Sequence, residues 1–368
     1  MSNVTLTARP FNLRLRYPFG ISRGTLHIAN NVLVTLYFGD YIAYGEAAPS
    51  GFYGENQKSV IEFIKAFSKN RTFDKYLTNI NSLKEDLDSF NLNISQQLRS
   101  SIFSYSARVC LEMAFWDLIG KIQKRPLCEF FFPGNPFALK QGLSKIKPTS
   151  FTIGLDKISM IKEKVEEAKN KEFSILKIKL GLGFDEDLNI LDTIKNEMNG
   201  YSYTLRVDAN GGWSVETTKK MLDYLPKYNV EVLEQPLHRG RFNELIKLKG
   251  ITNIPIIVDE DCLTASDIES LAGKVDGINI KLMKSGSIIE ALDMINLAKA
   301  YNLKVMLGCM IESSCSIAAA AHLSPLVDYV DLDGHLLLAQ DPFSGLSLED
   351  SRVIPSMEDG LGVTYTEK

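Results

Sequence analysis

The sequence predicts an α/β fold, a modified (β/α)8-type barrel carrying an α+β capping domain. Three observations predict it. Residues 1–60 alternate apolar and polar side chains with the period of β-strands, and residues 57–124 carry apolar side chains mostly at helical spacing. Later in the chain, short β-branched runs recur roughly every 25 residues with amphipathic segments between them, which is the rhythm of βα units.

The N-terminal third predicts an antiparallel sheet followed by helices. VTLTARPFNLRLRYPF and NNVLVTLYFGDYIAYGEAAP alternate in period two, with turns expected at residues 18–20 and 39–40. SARVCLEMAFWDLIGKIQ then reads as helix, since it contains no glycine or proline before Gly120. We therefore predict a capping domain over residues 1–127.

Eight β-branched runs predict the barrel strands. They are SFTIGL, ILKIKL, TLRVDAN, VEVLEQP, IPIIVDE, GINIKL, KVMLGC and VDYVDLD. A doubly wound sheet would also alternate β and α, but eight units in roughly 200 residues favour a barrel. We predict this barrel over residues 128–338, and a C-terminal tail over residues 339–368 that returns to the capping domain.

Composition argues against several classes of protein. Of 368 residues, 45% are apolar and 23% charged, and the net charge of -4 comes from interspersed acids and bases. We therefore expect no nucleic-acid partner and no membrane attachment. The N-terminus lacks the apolar core of a signal peptide. The five cysteines are scattered, which favours a reducing cytoplasm over a disulfide framework.

Charged residues stand at the carboxyl ends of six of the eight predicted strands, where barrels collect their functional groups. In strand order they are Lys177 and Lys179, Asp208, Glu234, Asp259, Lys281, and Asp331 with Asp333. A buried ion without a partner costs several kcal/mol, so this repetition indicates function rather than chance.

Asp208, Glu234 and Asp259 predict a metal site. They are 26 and 25 residues apart, one on each of three consecutive strands, so their carboxylates should converge. Each one alone is more simply explained by pairing with a lysine or by capping a helix. Three carboxylates together repel each other unless a cation holds them, and oxygen ligands without histidine or thiolate suit Mg²⁺.

The lysines predict acid/base chemistry. Lys177 and Lys179 share one face of the second strand, and Lys281 lies four strands away around the ring. Lys179 and Lys281 could therefore flank a substrate carbon, with nearby cations lowering their pKa values. Two opposed bases can remove a proton from one face and return it to the other. The alternative is that the lysines only neutralise the acids.

LKIKL, LRVDAN, VEVLEQP, IIVDED, INIKLMKSGS and YGEAAP together resemble the enolase superfamily, muconate lactonizing subgroup. The resemblance implies a capping domain on a (β/α)7β barrel. It also implies Mg²⁺ on Asp208, Glu234 and Asp259, Lys179 and Lys281 as the two bases, and Lys177 on the substrate carboxylate. Two departures are Asp261, where the family often has serine, and Ser287, where it often has glycine.

Within this subgroup, the eighth strand selects the reaction. Asp331 and Asp333 lie on one face and suit a cationic group, which resembles the site that holds the N-terminus of the substrate in dipeptide epimerases. Arg23, in PFGISRGT, resembles an arginine that reads a glutamate side chain, as a guanidinium can. Tyr53 could close a lid or equally pack as an ordinary loop residue, and Thr152 is a weaker candidate for a hydrogen bond to the substrate.

The resemblance thus implies a Mg²⁺-dependent dipeptide epimerase acting on L-Ala-D/L-Glu, in murein peptide recycling, as a cytoplasmic homo-oligomer. An N-succinylamino acid racemase or o-succinylbenzoate synthase is the alternative enzyme, disfavoured because two aspartates would repel its anionic substrate. An acid-sugar dehydratase usually has a histidine base at the end of a late strand, and none of the four histidines lies at such a position. A non-catalytic peptide-binding protein is the alternative of another class.

Overall fold

The computed structural model describes residues 4–69, 104–131 and 145–366. The predicted helical region at 57–124 lies partly outside these residues. In the described part of the chain, no helix is long and apolar enough to span a membrane.

The capping domain is a three-stranded antiparallel sheet covered by helices. Its strands, β1 (Val4–Ile21), β2 (Gly24–Phe38) and β3 (Tyr41–Ala47), pair in chain order. Helices α1 (Gln57–Lys69) and α2 (Tyr105–Gln123) pack on the sheet, and α3 (Cys128–Phe131) follows. Because α2 lies between the sheet and the barrel, most of its residues are buried.

Eight parallel strands form the second sheet. They are β4 (Phe151–Ile153), β5 (Ile175–Lys179), β6 (Thr204–Asp208), β7 (Val230–Glu234), β8 (Ile256–Val258), β9 (Gly277–Lys281), β10 (Lys304–Gly308) and β11 (Tyr329–Asp331). They pair in chain order. Thr149 closes the ring, since it forms a parallel bridge with Val330 and its hydroxyl accepts from the Leu332 N–H.

Helices follow the first seven barrel strands. They are α4 (Ile158–Asn170), α5 (Phe184–Glu197), α6 (Val215–Tyr224), α7 (Phe242–Leu245), α8 (Ala265–Leu271), α9 (Leu282–Ser285), α10 (Ile288–Ala300) and α11 (Ser314–Ala321). The pair α9 and α10 follows β9, whereas β11 leads into a 3₁₀ turn at Gly334–Leu337. This confirms the predicted (β/α)7β barrel with its capping domain.

The tail returns to the capping domain. Strands β12 (Phe343–Ser344) and β15 (Thr364–Tyr365) pair with each other, as do β13 (Leu346–Glu349) and β14 (Arg352–Pro355). Tyr44 of the capping sheet packs against Phe343 and Tyr365. The Asp117 carboxylate of α2 accepts from the Leu361 N–H. The domain boundaries at residues 127 and 338 remain predictions.

The barrel interior changes from apolar to charged along the strands. Its lower part holds Val232, Ile257 and Met306, which are fully buried. Arg206 is buried there too, where it pairs with Glu231. Higher up, towards the carboxyl ends, most inward-facing positions are lysines and acids. The fold therefore presents its charges at one mouth of the barrel, facing the capping domain.

Candidate active site

A cavity of about 430 Å³ lies between the barrel mouth and the capping domain. Its walls include the turn between β1 and β2, the 3₁₀ turn at Gly51–Tyr53, and the ends of several barrel strands. Predicted site residues on these walls are Arg23, Tyr53, Thr152, Lys177, Lys179, Asp259, Lys281, Asp331 and Asp333. The structure thus brings residues from both domains to one space.

Strand register places the acids and lysines at one level. Lys179 of β5 is aligned with Asp208 of β6, which is aligned with Glu234 of β7. Across the ring, Lys281 is aligned with Gly308, and Gly308 with Asp331. Because parallel strands end together at the barrel mouth, residues far apart in sequence become neighbours.

Lys177 lies among three carboxylates. Its Nζ is 2.6 Å from Asp331 Oδ2, 2.7 Å from Glu234 Oε2 and 3.5 Å from Asp208 Oδ2. The lysine is only 1% exposed. Burial opposes its charge, but Asp331 and Glu234 outweigh that effect and raise the pKa of Lys177 well above its usual range. It therefore remains a fixed positive charge.

The two predicted bases each contact one of the predicted metal ligands. Lys179 Nζ donates to Asp208 Oδ2 over 2.6 Å, and Lys281 Nζ donates to Asp259 Oδ2 over 2.7 Å. Burial opposes the charge of Lys281, yet Asp259 raises its pKa. Asp259 thus serves the lysine as a counter-ion, and the lowering of the pKa beside Mg²⁺ stays a prediction.

The pKa values of the three predicted metal ligands are shifted in different directions. Burial raises the pKa of Glu234 to about 7, with the nearby Asp208 adding to the effect. Burial also acts on Asp208, but Lys179 and Lys177 hold its pKa below the usual range. Burial also opposes the charge of Asp259, but Lys281 and Lys284 hold its pKa below the usual range. The site thus balances acids against lysines rather than leaving the acids to repel each other.

The described residues contain no group of three or more His, Cys, Asp or Glu side chains already arranged around a cation position. A lysine ammonium group contacts each of the three predicted ligands. The oxygen set nevertheless fits a hard cation such as Mg²⁺. Glu234 Oε2 and Asp259 Oδ1 are buried, and their close partners are the ammonium groups of Lys177 and Lys284, at 2.7 and 2.5 Å. These oxygens therefore already face positive charge, as ligands of a hard cation do.

Asp331 and Asp333 both lie at the cavity wall, with different partners. Asp331 accepts from the Ser150 hydroxyl and from Lys177. Asp333 accepts from the Thr152 backbone N–H and hydroxyl, at 2.5 and 3.1 Å. Burial raises the pKa of Asp333 to about 7, and the charge of Asp331 adds to this. Thr152 therefore contacts Asp333 directly, a contact that the sequence did not suggest.

Arg23 and Tyr53 lie on the capping side of the cavity. Arg23 Nη2 is 2.8 Å from Glu260 Oε1, and its guanidinium lies over the ring of Phe52. Tyr53 packs edge-on against Phe52. Burial and the charge of Asp259 raise the pKa of the Tyr53 hydroxyl, which keeps it a neutral group. Both residues therefore line the cavity at the barrel mouth, and their roles towards a substrate stay predictions.

Two family models match the chain. Residues 3–131 match the N-terminal domain of mandelate racemase and muconate lactonizing enzyme, and residues 160–368 match the enolase C-terminal domain-like family. The chain belongs to the mandelate racemase and muconate lactonizing enzyme family of the enolase superfamily. The two matches correspond to the capping domain and to most of the barrel with the tail.

Relatives within the family carry dipeptide epimerase names. The hydrophobic dipeptide epimerase of Flavobacteria bacterium is 35% identical over 98% of both chains. The L-Ala-D/L-Glu epimerase of Bacteroides thetaiotaomicron is 31% identical over 97% of this chain and 87% of its own. The dipeptide epimerase of Methylococcus capsulatus, solved with Mg and L-Arg-D-Lys, matches with a TM-score of 0.84 at 28% identity, covering 99% and 100% of the two chains.

Sequence reasoning missed two residues of the site. Asn279 donates to Glu234 Oε1 over 2.8 Å, and it could have been found, since it shares a strand face with Lys281. Lys284 is 1% exposed. It donates to the Asp259, Cys262 and Asn279 carbonyl oxygens. No signal pointed to Lys284, because a lysine in a short helix after a strand is usually at the surface.

Proposed function

We propose that this protein is a Mg²⁺-dependent dipeptide epimerase that inverts the α-carbon of the C-terminal residue of its substrate. The observation that carries the proposal is the placement of Lys179 and Lys281. They stand on β5 and β9, four strands apart in a ring of eight, and both line the same cavity. A substrate between them would present one face of its α-carbon to each lysine.

The proposed reaction is a 1,1-proton transfer. One lysine takes the α-proton as its neutral amine, and the other, as an ammonium, returns a proton to the opposite face. By resemblance to the family, Lys179 serves the L configuration and Lys281 the D configuration. Mg²⁺ held by Asp208, Glu234 and Asp259 would stabilise the negative charge that develops on the substrate carboxylate.

The remaining site residues would hold the substrate. Lys177 offers a fixed positive charge to the carboxylate of the reacting residue. Asp331 and Asp333 offer negative charge to the α-ammonium of the dipeptide, beside the Thr152 hydroxyl. Arg23 is the sequence feature that suggested L-Ala-D/L-Glu, a murein peptide, as the substrate, and Tyr53 would help cover it.

The same residues weigh against the alternatives. An N-succinyl or o-succinylbenzoate-type substrate would bring an anion towards Asp331 and Asp333, where it would be repelled. A peptide-binding protein without activity would not need two lysines facing one cavity. For location and assembly we propose a cytoplasmic homo-oligomer. The cytoplasm is supported by five cysteines that form no disulfide.

Proton NMR in D₂O tests the function directly. We expect L-Ala-L-Glu to lose its glutamate α-proton signal, and L-Ala-D-Glu to appear, with Mg²⁺ but not with EDTA. If no dipeptide in a broad library exchanges while N-succinyl amino acids do, the racemase alternative replaces the proposal. Binding of dipeptides without exchange would favour the non-catalytic alternative.

A further inference from the structure

Arg23 joins two loops of the capping domain to the barrel. It lies in the turn between β1 and β2, residues 21–25, which we call the hairpin loop. Its Nη1 donates to the Asn210 carbonyl oxygen over 2.9 Å, and Nη2 pairs with Glu260 Oε1 at 2.8 Å. The guanidinium carbon lies 4.4 Å from the centroid of the Phe52 ring. Phe52 belongs to residues 50–54, which we call the second loop.

Glu260 is the barrel residue with which Arg23 forms its ion pair. It follows the predicted metal ligand Asp259 and is 2% exposed. Neither of its oxygens makes a hydrogen bond, so the ion pair with Arg23 is its compensation. The Arg23 side chain is 34% exposed, but removing it would leave the Glu260 carboxylate buried and unpaired, which is costly. The pair therefore favours the conformation in which the hairpin loop rests on the barrel.

The base of the hairpin loop is held separately. The Leu155 N–H donates to the Gly20 carbonyl oxygen over 2.8 Å. A side chain at Gly20 would place its Cβ 2.1 Å from the Leu155 oxygen, so only glycine permits this approach. Arg23 consequently holds the tip of the loop rather than the whole hairpin.

The charge of Arg23 is already compensated. A guanidinium paired with a buried carboxylate, donating to a carbonyl and stacked on an aromatic ring has its charge and both terminal nitrogens engaged. An acidic substrate side chain would have to compete with Glu260 for it. The neighbouring cavity wall is largely apolar, with Phe19, Ile21, Leu26, Met310 and Ile311.

We propose that Arg23 is a positioning residue that latches the hairpin loop and the second loop onto Glu260, and that it does not read an acidic substrate side chain. The inference rests on the proposed dipeptide epimerase function. It replaces the role that the sequence suggested for Arg23. The preference for an acidic over a neutral side chain is then independent of Arg23, whereas the turnover of every dipeptide depends on it.

Two variants and a pair of isosteric substrates separate the two roles. The substrates are L-Ala-L-Glu and L-Ala-L-Gln, which differ in charge but hardly in size. If Arg23 holds the two loops on the barrel, Arg23→Met and Glu260→Gln each lower kcat/KM by about 10- to 100-fold, and by the same factor for both substrates. If Arg23 instead binds the acidic side chain of the substrate, Arg23→Met lowers kcat/KM only for L-Ala-L-Glu. Glu260→Gln then raises kcat/KM for that substrate, because it releases Arg23. That second pattern would overturn the proposal.

Amide hydrogen exchange tests the latch without any substrate. We expect residues 21–25 and 50–54 to exchange about tenfold faster in Arg23→Met, with partial recovery in Arg23→Lys. Arg241→Met is the control, since it removes an exposed ion pair with Glu244 elsewhere. Unchanged exchange in both loops would refute the latch. Faster exchange in a protein that epimerises no dipeptide would refute the proposed function but retain the latch.

Discussion

Replacing Glu46 with alanine should destabilise the junction between the capping domain and the barrel. Glu46 lies in β3 and is fully buried. It accepts from Asn31 Nδ2 at 2.7 Å, from the Ser313 N–H at 3.0 Å and from the Ser313 hydroxyl. Ser313 is the N-cap of α11 and follows the cavity-lining segment at residues 309–311. The carboxylate thus ties a capping strand to a barrel helix.

The hydrogen bonds that Glu46 accepts set the expected loss in the free energy of unfolding. Alanine removes three buried hydrogen bonds, although Asn31 Nδ2 keeps its second one, to the Ile311 carbonyl oxygen. At roughly 1–1.5 kcal/mol each, the free energy of unfolding should fall by about 3–5 kcal/mol. Glutamine keeps the shape and one acceptor, and should lower it by only about 1 kcal/mol. Glu62→Ala is the control. Glu62 is exposed and 3.9 Å from Lys58, so its loss should change stability by less than about 0.5 kcal/mol.

Urea denaturation at pH 6, followed by tryptophan fluorescence, measures these differences. The slope with denaturant must stay constant for the comparison to hold. Equal losses for alanine and glutamine, or a loss below about 1 kcal/mol for alanine, would refute the reasoning about unsatisfied donors.

Glu46 also predicts a pH dependence. Burial raises its pKa to about 7, although hydrogen bonds from Ser313 oppose this. A carboxyl with a raised pKa in the folded state contributes stability that is present below its unfolded pKa, about 4.5, and is lost as pH rises through 7. The stability of the wild type relative to Glu46→Gln should therefore fall by roughly 2–3 kcal/mol from pH 5 to pH 8. A difference that is flat over this range would contradict the shift.

Three further predictions concern the site. Lys281→Ala should lose epimerisation by about 10²- to 10⁴-fold yet still exchange the α-proton of L-Ala-L-Glu in D₂O, and epimerisation at the wild-type rate would exclude the two-base scheme. Mg²⁺ at 100 times its dissociation constant should stabilise the wild type by about 2.7 kcal/mol in thermal unfolding. Asp259→Asn should abolish most of that gain, and an equal gain in both would remove Asp259 from the ligand set. Asp333→Asn should raise KM for a dipeptide more than for its N-acetyl form, which lacks the α-ammonium, and equal effects would argue against ammonium binding.

The barrel was predictable because its signals are local. Each strand carries its own β-branched run, and each strand end its own charge, so period and spacing sufficed to place Lys179, Asp208 and Glu234 at one mouth. The capping sheet was likewise visible in period-two alternation. Period-two reasoning extended to Asn279 would have added a further contact to Glu234.

The sequence offered pairing between lysines and acids only as an alternative, and it did not indicate which lysine pairs with which acid. In the structure Lys281 and Asp259 form an ion pair, and Asp259 raises the pKa of the lysine. Lys284 was missed for a related reason. Its ammonium is satisfied by carbonyl oxygens from β9 and from the segment after β8, and only the folded chain brings these together.

The sequence by itself determined the fold class, the family and most of the charged residues at the barrel mouth, because these depend on periodicity and on residue type at strand ends. Only the tertiary structure decided which partner each charge takes. Arg23 is the clearest case. Its sequence context suggested a reader of acidic side chains, whereas the docking of the hairpin loop places its guanidinium on Glu260 and Phe52. The physical reason is that a charged side chain acts through whatever lies within a few ångströms, and chain packing sets those neighbours.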